Sequence, residues 1–110
     1  MSESKYISPI IPVKSVYEET FYQKLKVKEN IFPNVFNRKG NIKIEGWSKN
    51  YLEIIAVKKC TENSEKLKHT FIAISEENGL TIRTTSYGNN ECAEVFYTIK
   101  VPKNVFIGRI

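Results

Sequence analysis

The chain has 110 residues, of which 41% are hydrophobic and 26% charged, and its formal net charge is +5. This length predicts one soluble domain with a single core, and no apolar stretch is long enough to span a bilayer. All twelve acidic residues are glutamate, which argues against EF-hand calcium loops and the magnesium sites of phosphoryl-transfer enzymes, because both rely on aspartate. One histidine, His69, and two distant cysteines are too few for a zinc site. We therefore expect no metal and no other cofactor.

The first fifteen residues differ from the rest of the chain. Their scattered apolar side chains are interrupted by Pro9, Pro12 and Lys14, and they do not have the pattern of a secretory signal peptide. We predict an irregular N-terminal arm over residues 1–15, followed by a single all-β domain over residues 16–110. With no targeting pattern and no membrane-spanning segment, the cytoplasm is the favoured location, and the alternative is that the given sequence lacks a targeting segment.

From there on, short runs of alternating apolar and polar residues follow one another, and each predicts a half-buried strand. The first run has an apolar and a polar face, which are Phe21, Leu25 and Val27 on one side and Tyr22, Lys24, Lys26 and Lys28 on the other. Further strands are predicted at residues 35–36, 42–46, 51–59, 66–75, 80–85, 95–101 and 105–107. Strand 51–59 is apolar on both faces, which predicts that it is covered on both sides.

No run shows apolar residues at the three-to-four-residue spacing of a helix over a helical length. Seven or eight short strands joined by tight turns are typical of a sandwich, a barrel or a short solenoid. We predict an all-β fold of two packed, mainly antiparallel sheets that resembles a β-sandwich. A short β-solenoid-like stack is the alternative.

The two cysteines, Cys60 and Cys92, lack the close spacing of a zinc or redox motif. We predict that both are reduced and unbridged, in keeping with a cytoplasmic location. Cys60 and His69 lie on consecutive predicted strands, so a thiol and its base could meet across a turn. Nothing in the sequence supplies an oxyanion hole for such a pair, and we predict that the chain is not an enzyme.

The ligand-binding candidates begin with a basic stripe, Tyr22, Lys24, Lys26 and Lys28, which Lys43 extends on a neighbouring strand. Nine basic and five acidic residues lie in the first 49 positions, so most of the positive excess is in this half. Alternate lysines beside an aromatic residue suit phosphate contacts, with base stacking if the ligand is single-stranded nucleic acid. The alternative, and the commoner case, is a solvated strand face whose lysines prevent aggregation at a sheet edge.

Trp47, Tyr51 and Tyr87 are the candidates for an exposed aromatic platform that would bind a sugar or a peptide. Trp47 follows Gly46, however, and a large aromatic side chain at the end of a hairpin commonly packs over a small core. We favour packing over the core for Trp47 and keep it among the ligand-binding candidates.

Two stretches of the sequence resemble a known family. The first is Asn37-Arg38-Lys39-Gly40-Asn41-Ile42-Lys43-Ile44-Glu45-Gly46-Trp47, and the second is Tyr97-Thr98-Ile99-Lys100-Val101-Pro102. An Asn-x-x-Gly turn, an alternating strand, a Gly-Trp pair and a strand that ends in Val-Pro are similar to the bacterial and archaeal putative-adhesin domain family, whose function is unknown. The likeness covers residues 21–110. It implies an all-β fold and a binding or scaffolding role, and it supplies no catalytic residues.

We therefore expect a non-enzymatic binding or scaffolding domain of the adhesin-like type, whose partner is a protein or a surface ligand. A basic nucleic-acid-binding β module is the alternative function. The final predicted strand, at residues 105–107, would leave an unpaired edge, which predicts a homo-oligomer that pairs through it. The alternative is that the N-terminal arm, from Tyr6 to Val13, folds back and covers this edge.

Overall fold

A computed structural model describes residues 16–26, 31–77, 79–87 and 92–104. Its elements are β1 (Tyr17–Lys26), β2 (Asn34–Phe36), β3 (Ile42–Trp47), β4 (Tyr51–Cys60), the four-residue helix α1 (Glu65–Lys68), β5 (Thr70–Ser75), β6 (Thr81–Ser86) and β7 (Glu94–Pro102). Within the described ranges no helix is long and apolar enough to cross a membrane. The predicted arm at 1–15, the positions of Val27 and Lys28, and the predicted strand at 105–107 lie outside the described residues.

The strands form two sheets, with the orders β1-β4-β7-β3 and β2-β6-β5. The pairs β3–β7 and β2–β6 are parallel, and the other three pairs are antiparallel. Buried residues from both sheets form one core, which consists of Leu52, Ile54, Ala56, Leu80, Ile82, Val95, Tyr97, Ile99 and Val101. The prediction of an all-β fold with two packed, mainly antiparallel sheets is confirmed.

The central strand β4 shows how alternation builds the core. Leu52, Ile54 and Ala56 are fully buried, because every second side chain of a strand points to the same face of its sheet. The intervening residues of β4 are only half-buried. The prediction that both faces of this strand are covered is therefore correct for the core face only, and the outer face of the four-stranded sheet stays accessible.

The edge strand β1 pairs with β4 along all ten of its residues. Phe21 and Leu25 pack against the core, as the apolar face of the first run predicted. The described part of the basic stripe, Tyr22, Lys24 and Lys26, is exposed on the opposite face. This register matters for function, because a slip by one residue would turn the lysines toward the core.

Residues 37–41 carry the chain from β2 in the second sheet to β3 in the first. The side-chain amide Nδ2 of Asn37 donates hydrogen bonds to the carbonyl oxygens of Lys39 (3.2 Å), Gly40 (3.1 Å) and Val95 (2.8 Å). Gly40 has a φ of 117°, and a Cβ at this position would lie 2.0 Å from the carbonyl oxygen of Val95. Glycine is therefore required at this position of the Asn-x-x-Gly turn for two reasons, which are the positive φ and the close approach to β7.

A pair of hydroxyl groups completes this connection. Thr84 on β6 donates to Oδ1 of Asn37 at 2.8 Å, and its Oγ1 is also hydrogen-bonded to the phenol of Tyr97 on β7. Since Thr84 gives its single hydroxyl proton to Asn37, Tyr97 is the donor to Thr84. Burial raises the pKa of Tyr97, which keeps this donor protonated. Three satisfied polar side chains thus link the two sheets.

A buried lysine holds α1 against the first sheet. Lys58 is only 8% exposed, and its ammonium group donates to the carbonyl oxygens of Leu67 (3.3 Å) and Thr70 (2.8 Å) and pairs with Glu19 at 3.1 Å. A buried charge requires such partners, and α1 and the first residue of β5 present one carbonyl group each to it. The strand predicted from Lys66 onward is wrong in its first four residues, because a single helical turn is too short to show a helical apolar period.

Cys60 and Cys92 form a disulfide with their Cα atoms 5.4 Å apart, so the prediction that both thiols are reduced and unbridged is wrong. Antiparallel pairing of β4 with β7 brings the end of one strand beside the residues that precede the other, and spacing along the sequence could not show this. The bond spans a sequence separation of 32, across the segment that contains α1, β5 and β6. Both ends of that segment are therefore fixed to the first sheet.

We expect the double substitution Cys60→Ala/Cys92→Ala to lower the free energy of unfolding by about 3–4 kcal/mol, because a cross-link over a loop of this length restricts the unfolded chain. Denaturant unfolding monitored by circular dichroism measures the loss, and reduction of the wild-type protein should reproduce it. An unfolding midpoint that is the same in oxidised and reduced wild-type protein would contradict the assigned bond.

Candidate functional site

The outer face of the four-stranded sheet, which points away from the core, carries the predicted ligand-binding candidates that the structure describes. Tyr22, Lys24 and Lys26 lie on β1 at one edge, and Lys43 and Trp47 lie on β3 at the other. β4 and β7 separate the two edges, which are roughly 14 Å apart at the usual strand spacing. The candidates predicted from the sequence therefore lie on the two edge strands of one surface, and further residues on this surface lie between them.

Aromatic rings and lysine side chains alternate across the end of this face nearest the β3–β4 turn. We call this set the lysine–aromatic row, and its members, in the order in which each contacts the next, are Lys24, Tyr51, Lys49, Trp47 and Lys100. Tyr51 is a candidate from the sequence as well. The sequence does not identify Lys49 or Lys100 as a ligand-binding candidate. Lys49 lies in a turn, and Lys100 lies on the polar face of a strand that is predicted from its apolar residues.

Trp47 and Tyr51 face each other at the two ends of the β3–β4 turn. The indole Nε1 of Trp47 donates to the backbone carbonyl oxygen of Tyr51 at 2.8 Å, and the rings meet edge to face with their centroids 5.1 Å apart. This arrangement is favourable for two aromatic quadrupoles. Trp47 packs here on the outer face, so the prediction that it packs over the core is wrong, and Ile44 is the residue of β3 that packs against the core.

Three ammonium groups lie over these two rings. Lys24 is 5.1 Å from the ring centroid of Tyr51, and Lys100 is 5.4 Å from that of Trp47. Lys49 lies between the rings, 5.6 Å from Trp47 and 5.9 Å from Tyr51. All four distances fall within the range of cation–π attraction. In the described part of the chain none of these three lysines forms a salt bridge, so the rings fix three positive charges in place without neutralising them.

Two glutamates on the same face have partners of their own. The phenol of Tyr22 donates a hydrogen bond to Glu53, and this bond raises the pKa of Tyr22 to about 12. Glu45 forms an ion pair with Lys43 at 3.3 Å. Lys43 therefore differs from the row lysines, because its charge is balanced by a neighbouring carboxylate.

The three-residue aromatic platform considered for Trp47, Tyr51 and Tyr87 does not form as a unit. Tyr87 follows β6 of the second sheet, where its ring centroid is 5.1 Å from that of Phe71. Trp47 and Tyr51 alone are neighbours. Among the described residues these two aromatic pairs lie on different sheets, and lysine ammonium groups lie over the rings of the first pair.

The nucleophile and base considered at Cys60 and His69 are not paired. The sulfur of Cys60 is bonded to Cys92 and is no longer a thiol. The ring centroid of His69 is 6.3 Å from that of Tyr87. Across the described ranges, no three His, Cys, Asp or Glu side chains are grouped closely enough to hold a metal ion. The outer face of the four-stranded sheet can therefore contact a ligand through charged groups and surface area.

A polar cleft of about 210 Å³ opens beside residues 37–41, and Arg38, Thr70 and Ser86 are among the residues that line it. The side chains of Asn37 and Thr84, which are hydrogen-bonded to each other, also line it. Because these groups already connect the two sheets, the cleft is a by-product of the crossover, and the lysine–aromatic row is the stronger candidate site.

No protein-family model matches this sequence, and no curated protein matches it. A solved structure with a related backbone is the crystal structure of a protein described as a putative adhesin from Parabacteroides merdae. The two chains are 9% identical with a TM-score of 0.43, and the match covers 76% of this chain and 32% of that one. The chain therefore spans about a third of that protein's length. A similarity of this size establishes neither family nor function.

We expect Glu53→Gln to lower the pKa of Tyr22 from about 12 toward the ordinary 10.0, because the carboxylate that favours the protonated phenol is removed. NMR signals of the tyrosine rings, followed through alkaline pH, measure the change, and Tyr22→Phe identifies the signal. Glu45→Gln on the same face is the matched control and should leave that pKa unchanged. Equal shifts in both variants would contradict the assigned hydrogen bond.

Proposed function

We propose that this chain is a non-enzymatic, adhesin-like binding domain that contacts its ligand with the outer face of the four-stranded sheet. The observation that carries the proposal is the lysine–aromatic row, in which Trp47 and Tyr51 hold three ammonium groups that form no salt bridge within the described residues. Fixed charges that are not neutralised are available to a ligand, and aromatic residues are enriched at binding surfaces. The resemblance of residues 37–47 and 97–102 to the adhesin-like family supports the same type of function.

The state of the reactive groups supports a binding role over catalysis. The only two cysteines of the chain are bonded to each other. The single histidine lies between α1 and β5, beside an exposed tyrosine and outside the row. A catalytic site requires a nucleophile or base positioned next to groups that orient it, whereas the row positions only cations and aromatic rings.

The disulfide also bears on where the domain works. Disulfides form and persist in oxidising compartments, including the periplasm and the cell surface, and they are rare in the cytosol. The bond between Cys60 and Cys92 therefore supports a location outside the cytoplasm, in place of the cytoplasmic location expected from the sequence. A domain in such a compartment meets the ligands of cell surfaces.

The test compares two double substitutions of aromatic pairs on the two sheets. We expect wild-type protein to bind at least one of four immobilised probes: heparin, hyaluronate, dextran and mucin. Trp47→Ala/Tyr51→Ala should reduce that binding about tenfold or more, because the lysines lose the rings that position them. Surface plasmon resonance measures the affinity, and circular dichroism verifies that each variant is folded.

Phe71→Ala/Tyr87→Ala is the matched control, since it removes an exposed aromatic pair of similar geometry from the second sheet. This variant should bind as the wild-type protein does. If both double variants lose binding equally, or if neither does, the outer face of the four-stranded sheet is not the contact surface.

A further inference from the structure

The positions of the row lysines restrict how a ligand can use this face. An aromatic residue that binds a base or a neutral sugar by stacking must present an open ring face. Here the ring of Trp47 has the ammonium groups of Lys49 and Lys100 near it, and the ring of Tyr51 has those of Lys24 and Lys49. The rings therefore serve as supports for the lysines, and a ligand meets the ammonium groups first.

On this basis, and resting on the binding function proposed above, we propose that the ligand is an acidic polysaccharide whose carboxylate or sulfate groups bind the ammonium groups of Lys24, Lys49 and Lys100. Lys24 lies on β1 and Lys100 on β7, two strands away, so their backbones are roughly 10 Å apart. Positive charges spread over this distance suit a polymer that carries anionic groups at intervals. They suit a single compact anion less well.

The surroundings of the row add specificity to this charge pattern. Glu53 and Glu45 flank Lys100 on the two neighbouring strands, and both carboxylates are held by other partners on the same face. Anionic groups of a ligand are repelled by these two carboxylates, which directs them to the row lysines. An extended chain with spaced anionic groups can contact the row lysines and leave the glutamates free.

Two observations favour a polysaccharide over nucleic acid among anionic polymers. Stacking of bases is the main sequence-tolerant contact for single strands, and lysine ammonium groups lie over both of the rings that would provide it. The disulfide also supports an oxidising compartment, where the abundant anionic polymers of cell surfaces are acidic glycans.

The test uses two triple substitutions that change the net charge equally, from +5 to +2. The row variant is Lys24→Gln/Lys49→Gln/Lys100→Gln. The control variant is Lys39→Gln/Lys66→Gln/Lys68→Gln, whose three lysines each form an ion pair with a glutamate and lie in the crossover or α1, outside the strands of the four-stranded sheet. All six positions lie outside the core, so both variants should fold. The probes are heparin, hyaluronate, dextran, a short DNA duplex and an oligo-dT strand, each at several salt concentrations.

We expect wild-type protein to bind heparin or hyaluronate with an affinity that falls steeply with salt, because bound cations are released when lysines neutralise the polyanion. The row variant should bind about tenfold more weakly and show a shallower salt dependence, while the control variant changes by less than about threefold. Dextran, which is neutral, should not bind.

Three results would overturn the proposal, and each is distinguishable from failure of the binding function itself. Equal losses in the two triple variants would show that net charge alone drives binding. Binding of dextran that requires Trp47 and Tyr51 would keep the contact face and refute recognition of anions. Tighter row-dependent binding of the DNA duplex or oligo-dT than of either acidic glycan would assign the face to nucleic acid.

Discussion

The crossover from the second sheet to the first, at residues 37–41, is the constraint on which the rest of the fold depends. The amide of Asn37 bonds to backbone carbonyls on its own turn and on β7, while its oxygen accepts from Thr84 on β6. One side chain therefore holds a turn and two sheets together. Gly40 allows this arrangement because its missing Cβ leaves room for the carbonyl of Val95. Because hydrogen bonds are directional, a network of this kind fixes the relative positions of the turn and the two sheets that it joins.

The same crossover sets the position of the candidate site. By fixing residues 39–41 against β7 through the backbone hydrogen bonds Val95 N–H to Lys39 and Tyr97 N–H to Asn41, it determines the parallel register of β3 on β7. That register places Trp47 at the end of β3 within reach of Lys100, and the short turn that follows returns the chain to Tyr51. The crossover that joins the two sheets thus also determines the surface that we propose binds the ligand, although Trp47 lies six residues beyond it along the chain.

Much of the fold could be predicted from the sequence, because the alternation of apolar and polar residues indicates which face of a strand is buried. The strands at 42–46, 51–59 and 95–101 and the inward side of Phe21 and Leu25 follow from it. Features that depend on neighbours in space could not be predicted in this way. The disulfide depends on the pairing of β4 with β7, α1 depends on the ammonium group of Lys58, and the row depends on strand order. The sequence therefore identified Lys24 and Trp47 as separate candidates without showing that Tyr51, Lys49 and Lys100 connect them.

Comparison of Gly40→Ala with Gly79→Ala tests the role of the crossover most directly. Both glycines have a positive φ, 117° at Gly40 and 102° at Gly79, but a Cβ at Gly79 meets nothing within 4 Å whereas one at Gly40 collides with the backbone of β7. Backbone strain alone should cost each variant about 1–2 kcal/mol of unfolding free energy. We expect Gly79→Ala to lose about that amount and Gly40→Ala to lose at least twice as much or to fail to fold, as measured by denaturant unfolding. Equal losses at the two positions would contradict the account, because they would show that the crossover does not need its close contact with β7.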